Sequence, residues 1–231
     1  MRYSLCGLLL VLMVFSGFSA IAAEAPFVSG ETIHYSIRQM GVKVGKASLV
    51  FEGEKNLDGR KTLLIVFTAQ GIKFYDQERI YVDPQTFRPL RVLRDLDIFG
   101  RKEKIVEAYG HDGRVHVRKN AGGKLNAWTL PRQGAIDNIY GFIYRYRQQA
   151  SGSRGEKFNL ALPTLDVVMQ PANEMSFRVG RDIYRAVLIK SVPSKYSIWM
   201  DTSPRRFPLR IAGAIGLANT VMTMVNHEEE N

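Results

Sequence analysis

The side chains with the greatest capacity to bind a ligand lie in one segment of the chain, 138–149. Tyr140 and Tyr144 are four residues apart, which places them on one flank of a helix. From that flank each tyrosine can present its ring to an acyl chain and its hydroxyl to water. Arg145 and Arg147 follow and can pair with an anionic head group. The pattern predicts a site for an apolar or anionic amphiphile at the mouth of a sheet, with the alternative that the aromatic rings only close the core.

Catalytic and metal-binding motifs are missing from the sequence. It contains no Gly-x-Ser-x-Gly elbow, no glycine-rich phosphate loop and a single cysteine, Cys6. Asp95 and Asp97 share a strand face, as a hydrolase carboxylate pair could, but adjacent basic residues favour ordinary ion pairs. His111 and His116 lack the further ligands that a metal site needs at a regular spacing. We predict no catalytic, cofactor or metal residues, and keep a carboxylate-dependent envelope hydrolase as an alternative.

The N-terminal segment 1–23 has the layout of a secretory signal peptide. Arg2 precedes the apolar run 5–15, and small residues follow as far as Ala22 and Ala23, after either of which cleavage is expected. The alternative, an uncleaved anchor, requires a longer apolar stretch than this run provides. We predict export to the periplasm and a cysteine-free mature chain, 24–231, that forms one domain and does not span a membrane.

The chain is strongly basic, with a net charge of +10. The basic residues concentrate in two predicted hairpins. These residues are Arg88, Arg91, Arg94, Arg101, Lys102 and Lys104 in the first hairpin and Arg205, Arg206 and Arg210 in the second. Because an exported protein meets anionic lipids and envelope polymers rather than nucleic acid, the charge predicts a lipid or another anionic envelope component as partner. The alternative is a basic surface without a specific partner.

Apolar and polar residues alternate along most of the mature chain, which is the period of half-buried β-strands. Turn residues interrupt this pattern at short intervals. The predicted strands are 33–38, 47–52, 61–70, 78–83, 90–97, 102–109, 114–119, 124–130, 157–162, 166–170, 176–179, 183–192, 196–201, 209–214 and 217–225. The pattern indicates a mainly β fold, either a curved antiparallel sheet or a partly open barrel or sandwich.

One segment, 138–149, has helical rather than strand periodicity. Ile139, Phe142, Ile143 and Tyr146 recur at the spacing of one helix face, and Asp137 can cap the first turn. A flexible connector, 151–155, follows. We predict a single helix that packs on the open apolar face of the sheet.

Short motifs occur in a fixed order along the mature chain. They are Phe27-x-x-Gly30-Glu31-x-x-x-Tyr35, Gly41-x-x-x-Gly45-x-Ala47, a hairpin at 82–91, the helix after Asp137, and a closing hairpin at 198–201 and 206–211. In these motifs the chain resembles the bacterial family called domain of unknown function 3108 over 27–225. The resemblance implies an exported, mostly antiparallel β protein whose activity is not established.

Two functional hypotheses follow from these observations. The first is a non-catalytic periplasmic or cell-envelope protein that binds an apolar or anionic amphiphile inside the curved sheet. The closing hairpin is also similar to that of periplasmic lipoprotein carriers, which shelter acyl chains, although this chain has one predicted helix instead of several. The second is a structural or partner-binding envelope scaffold with a filled core. An open apolar cavity favours the first hypothesis, and a packed interior favours the second.

Overall fold

The computed structural model describes residues 26–132, 134–149, 156–215 and 219–229, so that the predicted signal peptide (1–23) and connector (151–155) lie outside the described residues. The predicted mainly β fold with one helix is confirmed. The elements are β1 (Glu31–Gln39), β2 (Val42–Leu57), β3 (Arg60–Gly71), β4 (Phe74–Val82), β5 (Pro89–Ile98), β6 (Arg101–Tyr109), β7 (Arg114–Ala121), β8 (Lys124–Pro131), α1 (Ile139–Gln149), β9 (Phe158–Ala161), β10 (Asp166–Val179), β11 (Asp182–Val192), β12 (Ser197–Asp201), β13 (Pro208–Ala212) and β14 (Thr220–Glu228). In the described part of the chain, no helix is long and apolar enough to cross a membrane.

All strands belong to one antiparallel sheet. Strands β1 to β8 pair in chain order, strands β9 to β14 do the same, and β1 pairs with β14 to join the two halves. The edge strands β8 and β9 do not pair with each other, so the sheet stays open. The chain therefore adopts the predicted curved antiparallel sheet, which is not closed into a full barrel.

The sheet curls around helix α1. Register shifts interrupt several strand pairs, for example between Phe51 and Gly53, and such bulges bend a strand and increase its twist. The curl brings the two ends of the sheet close together. This is seen in the ion pair between Arg132, directly after β8, and Asp166 of β10. The backbone N–H of Asp137 also donates to the carbonyl of Ala161 on the edge strand β9 at 2.7 Å.

The core lies between the concave face of the sheet and α1. In β1, Ile33, Tyr35 and Ile37 are buried and alternate with more exposed residues, which is the predicted strand pattern. Helix α1 is buried along most of its length rather than along one stripe. A helix that is covered on nearly all sides needs apolar partners from several strands, and the curled sheet supplies them.

Two predicted strands, 166–170 and 176–179, are a single strand, β10. The prediction of a break is wrong because the strand continues through 171–175, with a bulge where the register with β11 shifts between Pro171 and Glu174. The predicted strand 217–225 begins later, since β14 starts at Thr220, and residues 216–218 lie outside the described ranges.

Candidate functional site

A fully buried ion pair anchors the end of α1 to the sheet. Arg147 and Glu31, the first residue of β1, are both 0% exposed. The guanidinium donates to both carboxylate oxygens, from Nη1 to Oε1 at 2.5 Å and from Nη2 to Oε2 at 2.8 Å. It also donates to the carbonyls of Pro26 at 2.6 Å and Arg205 at 3.0 Å. The pair therefore links the helix to β1, to the segment before β1 and to the β12–β13 loop.

Aromatic rings surround the same guanidinium. The ring centres of Phe27, Tyr144 and Phe207 lie 5.1, 5.3 and 5.3 Å from Cζ of Arg147. At these distances a cation is attracted by the ring faces. Burial raises the pKa of the Tyr144 hydroxyl, so this side chain is neutral at any physiological pH. The charge of Arg147 is thus neutralised and shielded within the fold.

The cap of α1 is Asn138, and the predicted cap, Asp137, is wrong. The Asn138 side-chain oxygen accepts hydrogen bonds from the backbone N–H groups at positions 140 and 141, at 2.8 and 3.3 Å. Asp137 turns away because its buried carboxylate has other partners. It accepts a hydrogen bond from Nη1 of Arg145 at 2.7 Å and from the backbone N–H of Ala161 at 3.2 Å.

Tyr140 packs beside a buried polar cluster on β4 and β5. Its ring stacks on Phe67 with the centroids 4.4 Å apart. Arg94 donates twice to Asp76, at 2.8 and 2.5 Å, and its Nε lies 3.5 Å from a Glu78 oxygen. Burial raises the pKa of Glu78 to about 7, against the opposing effect of Arg94. Glu78 is thus a carboxyl group inside the fold that can change its charge near neutral pH.

The four predicted ligand-binding residues come together on α1, but their surroundings differ from the prediction. Tyr140 is 1% and Tyr144 0% exposed, so the expected position at an open mouth is wrong. Arg145 pairs with Asp137, and Arg147 pairs with Glu31. The reason is the curl of the sheet, which covers the helix from several sides. Whether these four residues bind a ligand stays a prediction.

The carboxylate pair that the sequence offered for a hydrolase, Asp95 and Asp97, makes ordinary structural contacts. Asp95 lies 3.6 Å from Arg79 and 3.9 Å from Lys104. The Asp97 carboxylate accepts a hydrogen bond from the backbone N–H of Gly100 at 2.9 Å, which closes the β5–β6 turn. Among the residues with described positions, no group of three His, Cys, Asp or Glu side chains could hold a metal ion.

In the fold, arginines from the two basic clusters of the sequence pair with different carboxylates. The ion pairs are Arg88–Asp137, Arg91–Asp58, Arg94–Asp76 and Arg205–Glu31. Arg210 instead stacks on Trp199, with its Cζ 4.9 Å from the ring centre. Arg101 and Lys102 form no ion pair with any residue of the described ranges. Charge that is contiguous in the sequence is therefore not a single patch on the surface.

Three of the spaces that border the described residues are clefts near the ends of the sheet. One cleft of about 480 Å³ lies between the β3–β4 and β5–β6 turns, and includes Ile72 and Phe99. Clefts of about 430 and 590 Å³ lie at the opposite end of the sheet and have many polar neighbours. Beside the buried cluster, the space that borders Asp76 and Arg94 measures about 20 Å³, which holds at most one water.

Sequence reasoning missed a row of exposed apolar side chains at one end of the sheet. Met40, Ile72 and Phe99, in the β1–β2, β3–β4 and β5–β6 turns, are 86%, 95% and 71% exposed. A local signal for two of them was present in the sequence. Met40 and Phe99 each precede a glycine, in the turn position that Asn or Asp usually occupies.

Comparisons with known proteins agree with the fold and give no activity. A family model described as "Protein of unknown function (DUF3108)" matches residues 32–224, so the predicted resemblance is confirmed. The crystal structure of a β-barrel-like protein of domain of unknown function DUF1849 from Brucella abortus is similar, with a TM-score of 0.52 and 10% sequence identity. The alignment covers 87% of this chain and 98% of that one, and at this identity it supports the fold alone. No curated protein matches the sequence.

Proposed function

The chain belongs to the DUF3108 family of proteins of unknown function, and from that premise we propose an exported, non-catalytic protein of the cell envelope that binds its partner with its outer surface. In this proposal the curled sheet is a scaffold, and its interior is filled by its own side chains. The observation that carries the proposal is the burial of α1, which occupies the place that a ligand would need.

The packing around α1 supports a filled interior. Besides the stack of Tyr140 on Phe67, Phe142 packs edge-on against Phe158 of β9 at 5.6 Å. The helix thus contacts β3 and the edge strand β9, which are distant from each other in the sheet order. A pocket for a drug-sized ligand has a volume of roughly 300–1,000 Å³. The space beside Asp76 and Arg94, about 20 Å³, is too small for such a ligand.

Export is the part of the proposal that rests on the sequence of segment 1–23. A positively charged start, an apolar run and small residues before the cleavage position support removal by signal peptidase. We expect the intact mass of the protein from the periplasmic fraction to lack residues 1–22 or 1–23. Recovery of the full-length chain in the membrane fraction would contradict export as a cleaved protein.

Native mass spectrometry tests the filled interior. The protein is purified from its own envelope without added lipid, together with a variant that combines Tyr140→Ala and Tyr144→Ala. We expect the wild type to carry no lipid at a stoichiometric ratio. A lipid adduct that is present on the wild type and absent from the double variant would contradict the filled interior.

A second candidate function, the binding of an amphiphile by Tyr140, Tyr144, Arg145 and Arg147, is favoured by one observation. The hydroxyl of Tyr140 is buried and has no hydrogen-bond partner among the described residues. A buried polar group without a partner is costly, so a polar atom of a ligand at this point would stabilise the fold. The adduct experiment separates this candidate from the scaffold.

A further inference from the structure

The antiparallel order of β1 to β8 places four turns at the same end of the sheet. These are the β1–β2, β3–β4, β5–β6 and β7–β8 turns, which we call the tip row (38–43, 70–75, 97–102 and 120–125). Neighbouring strands lie about 4.8 Å apart, so adjacent turns in the row are about 10 Å apart. The backbone N–H of Phe99 donates to the carbonyl of Lys73 at 2.8 Å, which holds two of these turns together.

The tip row exposes large apolar side chains. The exposed fractions are 86% for Met40, 66% for Val42, 95% for Ile72, 71% for Phe99 and 67% for Leu125. Each turn of the row therefore presents at least one apolar side chain to solvent at or beside its outermost point. Exposed apolar groups that are clustered in this way indicate an interaction surface.

Two of these side chains occupy backbone positions that disfavour them. Met40 has a φ of 49° and Phe99 a φ of 54°, and each is followed by a glycine with positive φ. Asp58 has the same conformation, with a φ of 52°, in the β2–β3 turn at the opposite end. Asn and Asp tolerate this geometry well, whereas a bulky residue in it is strained. The chain thus has an apolar side chain at two turn positions where Asn or Asp would adopt the backbone conformation with less strain.

The charge of the tip row complements an anionic surface. Its exposed cations are Arg38, Lys43, Lys73, Arg101, Lys102 and Lys124, and within the described residues none of them forms an ion pair. The one carboxylate of the row, Asp97, accepts the Gly100 N–H. At the opposite end, turn carboxylates are paired with arginines, as in Asp83–Arg60.

We propose that the tip row docks on an anionic lipid surface, with Met40, Ile72 and Phe99 entering the head-group layer and the lysines and arginines contacting phosphates. This deepens the proposed envelope function, on which it rests, by naming the partner. A lipid surface offers hydrocarbon and phosphate at every point, which suits single apolar tips about 10 Å apart, each beside a cation. A protein partner requires one contiguous apolar core instead.

Vesicle co-sedimentation tests the proposal. The protein is purified from its own host, so that it carries the processing that the host performs. Vesicles of phosphatidylcholine mixed with phosphatidylglycerol, whose negative surface attracts Lys and Arg, are compared with vesicles of phosphatidylcholine alone. The main variant combines Met40→Asn and Phe99→Asn, which suit the turn conformation. The matched control is Ile183→Asn, an exposed apolar residue (64%) close to the β10–β11 turn at the opposite end.

We expect the wild type and Ile183→Asn to bind the anionic vesicles about equally, and the double variant at least about tenfold more weakly. The melting temperature of the double variant should be unchanged or higher, which excludes misfolding as the cause. Equal binding by all three proteins, or no wild-type binding to anionic vesicles, would overturn the proposal. Such a failure leaves export and the filled interior intact, because intact mass and native mass spectrometry measure those separately.

Discussion

Replacement of Arg147 by Met tests whether the buried ion pair holds the helix in the sheet. The substitution leaves a shorter, unbranched apolar side chain and removes four hydrogen bonds, two to Glu31 and one each to the carbonyls of Pro26 and Arg205. It leaves the Glu31 carboxylate buried, with Arg205 at 3.0 Å as its remaining cation. Removal of one partner from a buried pair costs about 3–5 kcal/mol of unfolding free energy.

The assay is urea unfolding followed by circular dichroism, with a double-mutant cycle. We expect Arg147→Met to lower the free energy of unfolding by about 3–5 kcal/mol, and the double variant with Glu31→Met to recover part of that loss. The control is Arg185→Met, since Arg185 pairs with Glu174 at 2.8 Å but its side chain is 76% exposed. That pair should contribute less than about 1 kcal/mol. A loss below about 1 kcal/mol for Arg147→Met would refute the reasoning.

Two other predictions concern the core. The pKa of Glu78 is about 7 in the fold against about 4.5 when unfolded, so Glu78 takes up a proton on folding between these values. The free energy of unfolding should fall as the pH rises from 5 to 8. In urea unfolding, Glu78→Gln should make this fall smaller by up to about 3 kcal/mol; a fall of unchanged size would contradict the assignment. Gly141→Ala should lower the melting temperature although Ala favours helices, because its Cβ would lie 2.4 Å from the Phe87 carbonyl oxygen. A higher melting temperature would show that the short distance to the Phe87 carbonyl oxygen does not determine the effect on stability.

The strands were predictable because one face of the sheet is buried and the other is not. The alternation of buried Ile33, Tyr35 and Ile37 with polar residues predicts β1 without further information. The apolar residues at helical spacing likewise predict α1. The curl was not predictable from local pattern, since it depends on register shifts between strands. For that reason the position of Tyr140 and Tyr144 was predicted at an open mouth, although both are buried.

The ion pairs of the site had no local signal in the sequence. Arg147 and Glu31 are 116 positions apart, and Arg91 and Asp58 are 33 apart. A cluster of basic residues in sequence says nothing about carboxylates that other strands bring beside it. The tip row is different, because Met40 and Phe99 before glycine break a local preference that can be read directly.

Hydrogen–deuterium exchange with and without anionic vesicles tests most directly whether the protein binds with its outer surface rather than its interior. The account predicts slower exchange in segments 38–43, 70–75 and 97–102 when vesicles are present. It predicts no change in α1 (Ile139–Gln149), which is already buried by the sheet. Altered exchange in α1, with the tip row unchanged, would contradict the account and would place the ligand inside the fold.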